Sequence, residues 1–156
     1  MFLWKRTFGR PYREPCVFCD RAQIQTSGIL FEDDRVVAFR DRRPRASSHL
    51  LVIPKEHIVN THALDHGHIE LVQHMVAVGR AVLAKESDTR ALAETPPIFG
   101  FHQYPFTSVD HLHLHCLVPP FEPCYNRLRY TETWFSNYVS VESLLQSLHE
   151  SRPANA

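Results

Sequence analysis

The segment "DHLHLHCLVPP", residues 110–120, decides how this chain folds and what chemistry it can perform. It carries three histidines at alternate positions: His111, His113 and His115. On a β-strand, side chains two positions apart point to the same face, roughly 6.6–6.8 Å from each other. We therefore predict that the three histidines share one face of a strand, and that Leu112, Leu114 and Cys116 point the other way, into the core.

Three interpretations of the alternating histidines are open. They could form the polar outer face of an edge strand, bind a metal, or act as a row of catalytic imidazoles. A neutral imidazole is a competent nucleophile with an ordinary pKa of about 6.5. Neighbouring imidazoles can hold its tautomer, donate to a phosphate oxygen or protonate a leaving group. The strict alternation of three titratable residues favours metal binding or catalysis over a surface role.

The composition is that of an ordinary globular protein. The chain has 156 residues, enough for one domain, with 44% hydrophobic and 22% charged residues. Seventeen basic residues balance seventeen acidic ones, so no whole-chain field attracts nucleic acid or an anionic membrane. We find no secretory signal and no apolar run long enough to cross a bilayer. We therefore expect a cytoplasmic protein, with the nucleus as a second compartment.

Four cysteines are present: Cys16, Cys19, Cys116 and Cys124. Without a secretory signal we expect reduced thiols rather than disulfides. The first two form a Cys-x-x-Cys pair, which is typical of a metal or redox site. The alternative is two simple buried thiols.

Hydrophobic periodicity predicts an α+β fold. Five short apolar or alternating runs are predicted to be strands: 28–33, 35–41, 49–54, 98–104 and 110–118. The first two are expected to form a hairpin around Asp33 and Asp34. Apolar residues at three- and four-residue spacing predict a long helix over 66–85 and a short amphipathic helix over 141–148. Helices that lie between and after the strands are typical of an α+β layer fold.

Residues 111–117, "HLHLHCL", resemble the signature of the histidine-triad (HIT) superfamily, in which three histidines alternate with hydrophobic residues. The block "ILFEDDRVVAFRDRRPRASSHLLVIPKEHI", residues 29–58, is similar to the other long block of that family, and many members have Cys-x-x-Cys upstream. The resemblance implies the HIT fold, with a five-stranded antiparallel sheet, one long helix and a short C-terminal helix. It divides the chain into a basic N-terminal tail (1–15), a HIT domain (16–121) and a C-terminal extension with a short helix (122–156).

Within the family, "FGFHQYPFTSVDHLHLH", residues 99–115, resembles the Hint-type branch that carries Gly-Phe-His before the triad. That branch implies an adenosine 5'-monophosphoramidase. The smallest Hint proteins have Asn and Gly-Gly-Gln in this loop, where the present chain has Gly100, Phe101, His102 and Gln103. The contacts of that loop with the phosphate and the leaving group are therefore not transferred to this chain.

The resemblance implies catalytic roles for four residues. His113 would be the nucleophile, attacking the α-phosphorus of an AMP-X compound to give an adenylyl-histidine that water hydrolyses to AMP. His115 would donate to the phosphate oxygens. Related nucleotidyl transferases have Gln at that position, so His favours hydrolysis. Ser108 would contact the phosphate or leaving group, unless it is only a turn hydroxyl, and His49 would support the triad by hydrogen bonding.

The resemblance also implies a nucleotide pocket. Asp41 would hold the ribose hydroxyls, unless it is only a solvated residue at a strand end. Phe18 and Phe39 would flank the base, although core packing explains either one nearly as well. The set expected to bind the nucleotide is Phe18, Phe39, Asp41, Arg42, Ser108, His113 and His115.

Zinc-bearing relatives imply a metal centre in this chain. Its ligands would be Cys16, Cys19, His57 and His111, and a closed four-ligand site would be structural. We expect no organic cofactor. The expected partners are a purine nucleotide substrate and a second copy of the chain in a homodimer, with no membrane and no specific nucleic acid.

Three functions compete at this point. The first is hydrolysis of adenosine 5'-phosphoramidates or related compounds such as adenylyl sulfate. The second is an AMP-binding interaction or regulatory protein with little turnover. The third, removal of adenylate from DNA as in aprataxin-like relatives, is disfavoured because the chain has neither finger-type Cys/His spacing after residue 125 nor net positive charge.

Overall fold

The computed structural model of the protein describes residues 16–87, 89–133 and 137–151. The predicted basic tail, residues 1–15, lies outside the described residues. Among the residues that are described, no helix combines the length and the apolar character needed to cross a membrane. The four cysteines form no disulfide.

A six-stranded antiparallel sheet forms the centre of the fold. Its strands are β1 (Ile29–Glu32), β2 (Val36–Arg40), β3 (Ala46–Pro54), β4 (Ile98–His102), β5 (Leu114–Phe121) and β6 (Tyr138–Ser140). They lie in the order β1-β2-β3-β5-β4-β6. The helices are α1 (Arg21–Gln25), α2 (Ile69–Glu86), α3 (Thr89–Glu94) and α4 (Val141–Glu150), and short 3-10 helices cover Thr61–Ala63, His66–His68 and Cys124–Tyr130. The α+β class, the hairpin and the two predicted helices are confirmed.

The prediction of five strands omits one strand of the observed sheet. The additional strand β6 has three residues and pairs with β4 on the side away from β5. Three residues are too few for an alternating pattern to identify a strand. The pairing depends on Gly100, because a Cβ there would lie 2.3 Å from Tyr138 Oη.

The two faces of the sheet pack against different helices. On β2 and β3, Val36, Ala38, Leu50 and Val52 belong to the main core, which also contains the buried face of α2. The alternate residues Val37, Phe39, Leu51 and Ile53 form a second cluster with Ile24 of α1. This strict alternation follows from the two-residue period of a strand. The long helix therefore covers one face, and α1 covers part of the other.

The strand predicted over 110–118 begins later than expected, at Leu114. The His111–His113 segment is held outside the ladder, since the Leu112 N–H donates to the Ile58 carbonyl at 2.6 Å. Only the third histidine therefore lies in a strand. The predicted facing is nonetheless right, because the intervening residues, together with Cys116, are buried in the main core.

Candidate active site

The ring of His113 lies beside the rings of Phe18 and His115. Its Nδ1 is 2.7 Å from the carbonyl oxygen of His111. A carbonyl can only accept, so Nδ1 carries the hydrogen and Nε2 presents a lone pair. The side chain is buried, and this burial lowers the pKa of His113. The result is a neutral imidazole with a defined tautomer, which is the state that a nucleophile requires.

Three further histidines form a hydrogen-bonded chain beside it. The Arg45 N–H donates to Nδ1 of His49 at 3.2 Å, so His49 carries its hydrogen on Nε2. That hydrogen faces Nδ1 of His115 at 2.9 Å, which places the hydrogen of His115 on Nε2. His115 Nε2 in turn faces Nδ1 of His102 at 3.0 Å, and His102 Nε2 faces the carbonyl of Arg129 at 3.0 Å. Every tautomer in the chain is therefore fixed.

Burial keeps these three imidazoles neutral. Desolvation lowers the pKa of His49 and of His102 to about 4, and is opposed in part by the Asp41 carboxylate at His49 and by the Arg129 carbonyl at His102. Burial and the surrounding histidines lower the pKa of His115 well below its ordinary value. Neutral rings are what the hydrogen-bonded chain needs, because each ring both donates and accepts.

A cavity of about 270 Å³ opens beside the nucleophilic ring. One part of its wall is apolar, and is formed by Val17, Phe18, Ile24, Phe39, Leu51 and Val109. The other part is polar or charged, and is formed by Gln23, Ser27, Asp41, Arg42, Arg43, Ser108, His113 and His115. Such a cavity offers apolar contact to a ring and polar groups to a phosphate.

A second cluster lies on the other side of His111. The ligand atoms of Cys16, Cys19, His57 and His111 all lie within 4.8 Å of one another. Nδ1 of His111 is 3.5 Å from each of the two sulfur atoms, and Nδ1 of His57 is 3.2 Å from Cys19 Sγ. Tetrahedral zinc with Zn–S near 2.3 Å and Zn–N near 2.0–2.1 Å requires sulfur–nitrogen separations of about 3.5 Å. The four residues therefore fit zinc.

The hydrogen bond made by Nε2 of His111 leaves Nδ1 free to act as a metal ligand. That Nε2 lies 2.9 Å from the Pro54 carbonyl, so the hydrogen is on Nε2 and the lone pair of Nδ1 points at the cysteines. Burial lowers the pKa of His111 to about 4, which keeps the ring neutral.

Asp41, His49 and His115 also bring three ligand atoms within 4.8 Å of one another. They do not form a metal site in this arrangement. The Arg45 N–H occupies the Nδ1 lone pair of His49, so Nε2 of His49 carries a hydrogen and has no lone pair for a cation. The group is a hydrogen-bonded cluster instead.

Comparison with known proteins identifies the family. The family model described as "Scavenger mRNA decapping enzyme C-term binding" matches residues 15–130. The chain is 37% identical over 139 residues to the bifunctional adenosine 5'-phosphosulfate phosphorylase/adenylylsulfatase HINT4 of Arabidopsis thaliana, which covers 86% of this chain and 92% of the relative. It is 36% identical over 146 residues to the adenosine 5'-monophosphoramidase HINT3 of Xenopus tropicalis. That alignment covers 90% of this chain and 91% of the relative.

The chain belongs to the histidine-triad family. A solved HIT family hydrolase from Legionella pneumophila Philadelphia 1 has the same fold, with a TM-score of 0.59 and 30% identity over 77% of this chain and 97% of that one. The resemblance drawn from the triad signature and from the Gly-Phe-His motif is thereby confirmed.

The structure places the residues predicted to bind the nucleotide around the cavity of this histidine-triad protein. Phe18 and Phe39 meet edge to face, with ring centroids 5.6 Å apart, and Phe18 is 5.5 Å from His113. Asp41 lines the polar side, with Oδ2 3.3 Å from Nε2 of His49. Ser108 is exposed on the cavity wall.

Arg42 lines the same wall, and its hydrogen bonds hold α1 in place. Its guanidinium donates to the Gln23 carbonyl at 2.6 Å, to Ser27 Oγ at 2.9 Å and to Thr26 Oγ1. These contacts anchor the C-terminal end of α1 and the turn that follows it. Arg42 therefore holds the helix that carries Ile24, part of the apolar wall.

The sequence predicts no role for two residues of this histidine-triad site, His102 and Tyr130. The Tyr130 ring packs against His102, His115 and His49, at centroid distances of 5.0, 5.4 and 5.7 Å. The Gly-Phe-His motif is a signal for His102, whereas no local pattern distinguishes Tyr130.

Proposed function

We propose that this histidine-triad protein is a nucleotide hydrolase that cleaves adenosine 5'-phosphoramidates and related AMP-X compounds to AMP. One observation carries the proposal: a neutral His113 with its hydrogen held at Nδ1 presents Nε2 at the edge of a cavity. The cavity has two phenylalanines for a base, and Asp41 for ribose hydroxyls. The enzymatic names of the relatives in Arabidopsis thaliana and Xenopus tropicalis support the same chemistry.

The reaction proceeds in two displacements. In the first, Nε2 of His113 attacks the α-phosphorus, a nitrogen–phosphorus bond forms, and X leaves with the electrons of the phosphorus–X bond. The ring is then positively charged, and the His111 carbonyl stabilises that charge through the Nδ1 hydrogen. In the second, water attacks phosphorus, the electron pair returns to Nε2, and the proton lost by the water passes through solvent to X. The sum is AMP-X plus water giving AMP and HX.

A panel of substrates with different leaving groups tests the identity of X. The relatives' names include a phosphoramidase and an adenylylsulfatase, so we propose both an amine and sulfate as leaving groups. The test is AMP release from an adenosine phosphoramidate and from adenylyl sulfate, with His113→Ala protein as the control. Tight AMP binding without AMP release from either substrate would reject the hydrolase and favour the AMP-binding regulatory function.

A structural zinc ion is also proposed. Cys16 and Cys19 supply thiolates, and His57 and His111 supply neutral imidazoles, which is a typical closed zinc set. Zinc bound there would tie the segment before α1 to the residue whose carbonyl orients His113. We also propose the homodimer implied by the resemblance, and a cytoplasmic location. Light scattering coupled to size exclusion tests the dimer, and fractionation of cells that express the protein tests the location.

A further inference from the structure

The hydrogen-bonded histidine chain begins and ends on backbone groups. Its first donor is the Arg45 N–H, and its last acceptor is the Arg129 carbonyl. An amide N–H does not release its proton at neutral pH, and a carbonyl does not pass one on. No proton therefore enters or leaves through these two ends of the chain. What it can do is fix the orientation and the tautomer of each ring.

Both nitrogens of His115 are engaged by this chain, so in this arrangement its one hydrogen is directed at His102 and not, as the resemblance implies, at the phosphate oxygens. Nδ1 accepts from His49, and Nε2 faces Nδ1 of His102 at 3.0 Å. The ring of His115 lies 5.0 Å from the ring of His113, so its orientation determines what the nucleophile meets on that side. The acceptor for the one hydrogen of His115 is thus a side chain from β4, contributed by the Gly-Phe-His motif.

The position of His102 is determined from two directions. Its ring packs against Tyr130 and Tyr138, at centroid distances of 5.0 and 5.7 Å. Its Nε2 hydrogen is held by the carbonyl of Arg129, in the 3-10 helix that follows β5. The fully buried Asn126 fixes that helix, since its side-chain amide donates to the Glu122 carbonyl at 2.8 Å.

We propose that His102 is a positioning residue for His115. The Arg129 carbonyl holds the His102 ring in place, so the 3-10 helix after β5 contributes to the active site. The effect of His102 on turnover rests on the proposed hydrolase function. Its effect on the tautomer of His115 does not, so the two can fail separately.

The first test is nitrogen NMR on wild-type protein labelled with 15N-histidine. It is expected to show His115 with its hydrogen on Nε2, and a coupling across the hydrogen bond to Nδ1 of His102. A hydrogen on Nδ1 of His115, or the absence of that coupling, overturns the proposal. This measurement needs neither a variant nor turnover.

The second test compares two substitutions. His102→Phe keeps a ring against the two tyrosines and removes both nitrogens. His102→Asn places an amide oxygen near the former Nδ1, where it can accept from His115. The parallel we use is a group that orients a metal-ligating histidine, whose removal typically costs about 10- to 100-fold in activity. We expect a kcat loss of that order for His102→Phe, with little change in KM, a mixed tautomer at His115, and partial recovery in His102→Asn.

His62 is exposed, and His62→Phe serves as the matched control. It should leave both kcat and the tautomer of His115 unchanged. The proposal is overturned if His102→Phe keeps kcat within about twofold of the wild type. It is also overturned if the Phe and Asn variants lose activity equally while His115 keeps its Nε2 hydrogen. If the wild type releases no AMP from any substrate, the hydrolase proposal fails, and the NMR result still decides the positioning role.

Discussion

His113 Nδ1 lies 2.7 Å from the carbonyl oxygen of His111, the residue whose own Nδ1 faces the two cysteines of the proposed metal centre. One residue thus contributes its side chain to one site and its backbone to the other. Whatever fixes His111 also fixes the acceptor that determines the tautomer of the nucleophile. The metal cluster and the catalytic cavity are therefore adjacent parts of one structure.

The metal centre predicts one zinc ion per chain. Protein purified without chelators should contain close to one equivalent by elemental analysis, because four donors meet at tetrahedral spacing. Cys16→Ser and Cys19→Ser should each lower the zinc content sharply and reduce the melting temperature. Cys124→Ser, an exposed cysteine outside the cluster, is the control and should keep the metal. A wild-type zinc content near zero would leave the cluster as two thiols and two histidines.

Asp41 predicts a preference for ribose over deoxyribose. A lost hydrogen bond to a charged acceptor is worth about 1.5–3 kcal/mol, so a 2'-deoxyadenosine phosphoramidate should lose roughly ten- to a hundredfold in kcat/KM. Asp41→Ala should remove this ratio. Because Asp41 also lies 3.3 Å from Nε2 of His49, the variant is expected to be slower on every substrate, and the ratio rather than the rate is the readout.

The base should be discriminated less than the sugar. Phe18 and Phe39 offer ring contact, which does not distinguish an exocyclic amine from a carbonyl as matched hydrogen bonds would. Guanosine and adenosine phosphoramidates should therefore differ by a smaller factor than the ribose and deoxyribose forms. Equal rates for ribose and deoxyribose substrates in the wild type would remove Asp41 from the substrate site.

The buried histidines predict loss of stability in weak acid. His49 and His102 have a pKa of about 4 in the folded protein, against an ordinary value near 6.5 in the unfolded chain. Above pH 6.5 both states are neutral and neither residue contributes. As the pH falls towards 4, only the unfolded chain takes up these protons, so the free energy of unfolding decreases by about 1.4 kcal/mol per pH unit for each proton.

Denaturant titrations at pH 7, 6 and 5 measure this loss. His102→Asn removes one of these buried histidines and should show a shallower decrease. A free energy of unfolding that stays constant from pH 7 to pH 5 would contradict neutral burial of these rings.

The close approach at Gly100 predicts the cost of adding one methyl group. A Cβ at this position would lie 2.3 Å from Tyr138 Oη and 2.5 Å from the Val139 carbonyl oxygen. Overpacking of this kind typically costs about 1–3 kcal/mol, so Gly100→Ala should lower the melting temperature by several degrees. Gly67→Ala, in an exposed 3-10 turn, is the matched control, because its added Cβ would meet only the exposed Asp65 carboxylate, at 3.2 Å. Equal melting temperatures for the Gly100→Ala variant and the wild type would mean that β6 does not pair with β4 as described.

The features predicted from the sequence are those with a local pattern. The continuous apolar runs Val36 to Phe39 and Leu50 to Ile53 identify strands, and the three- and four-residue spacing along α2 identifies its buried face, without knowledge of the rest of the chain. The triad's facing follows in the same way. Its first two members nevertheless lie outside the strand, because the Leu112 N–H bonds to Ile58 rather than to the sheet.

The features that were missed depend on which segments become neighbours. His102 meets His115 only because β4 lies beside β5, and Tyr130 meets it only because the 3-10 helix after β5 folds back over the site. The strand β6 forms because a glycine in β4 allows a tyrosine to approach. None of these contacts leaves a periodic trace in the sequence.

The most direct test of the central claim is to trap the covalent intermediate on His113. With a slow AMP-X substrate, intact-mass spectrometry of the wild-type protein should show the addition of one adenylyl group, and peptide mapping should place it on His113. His113→Ala should bind AMP, carry no adduct and release no AMP. An adduct on another residue, or near-normal AMP release by His113→Ala, would contradict the account.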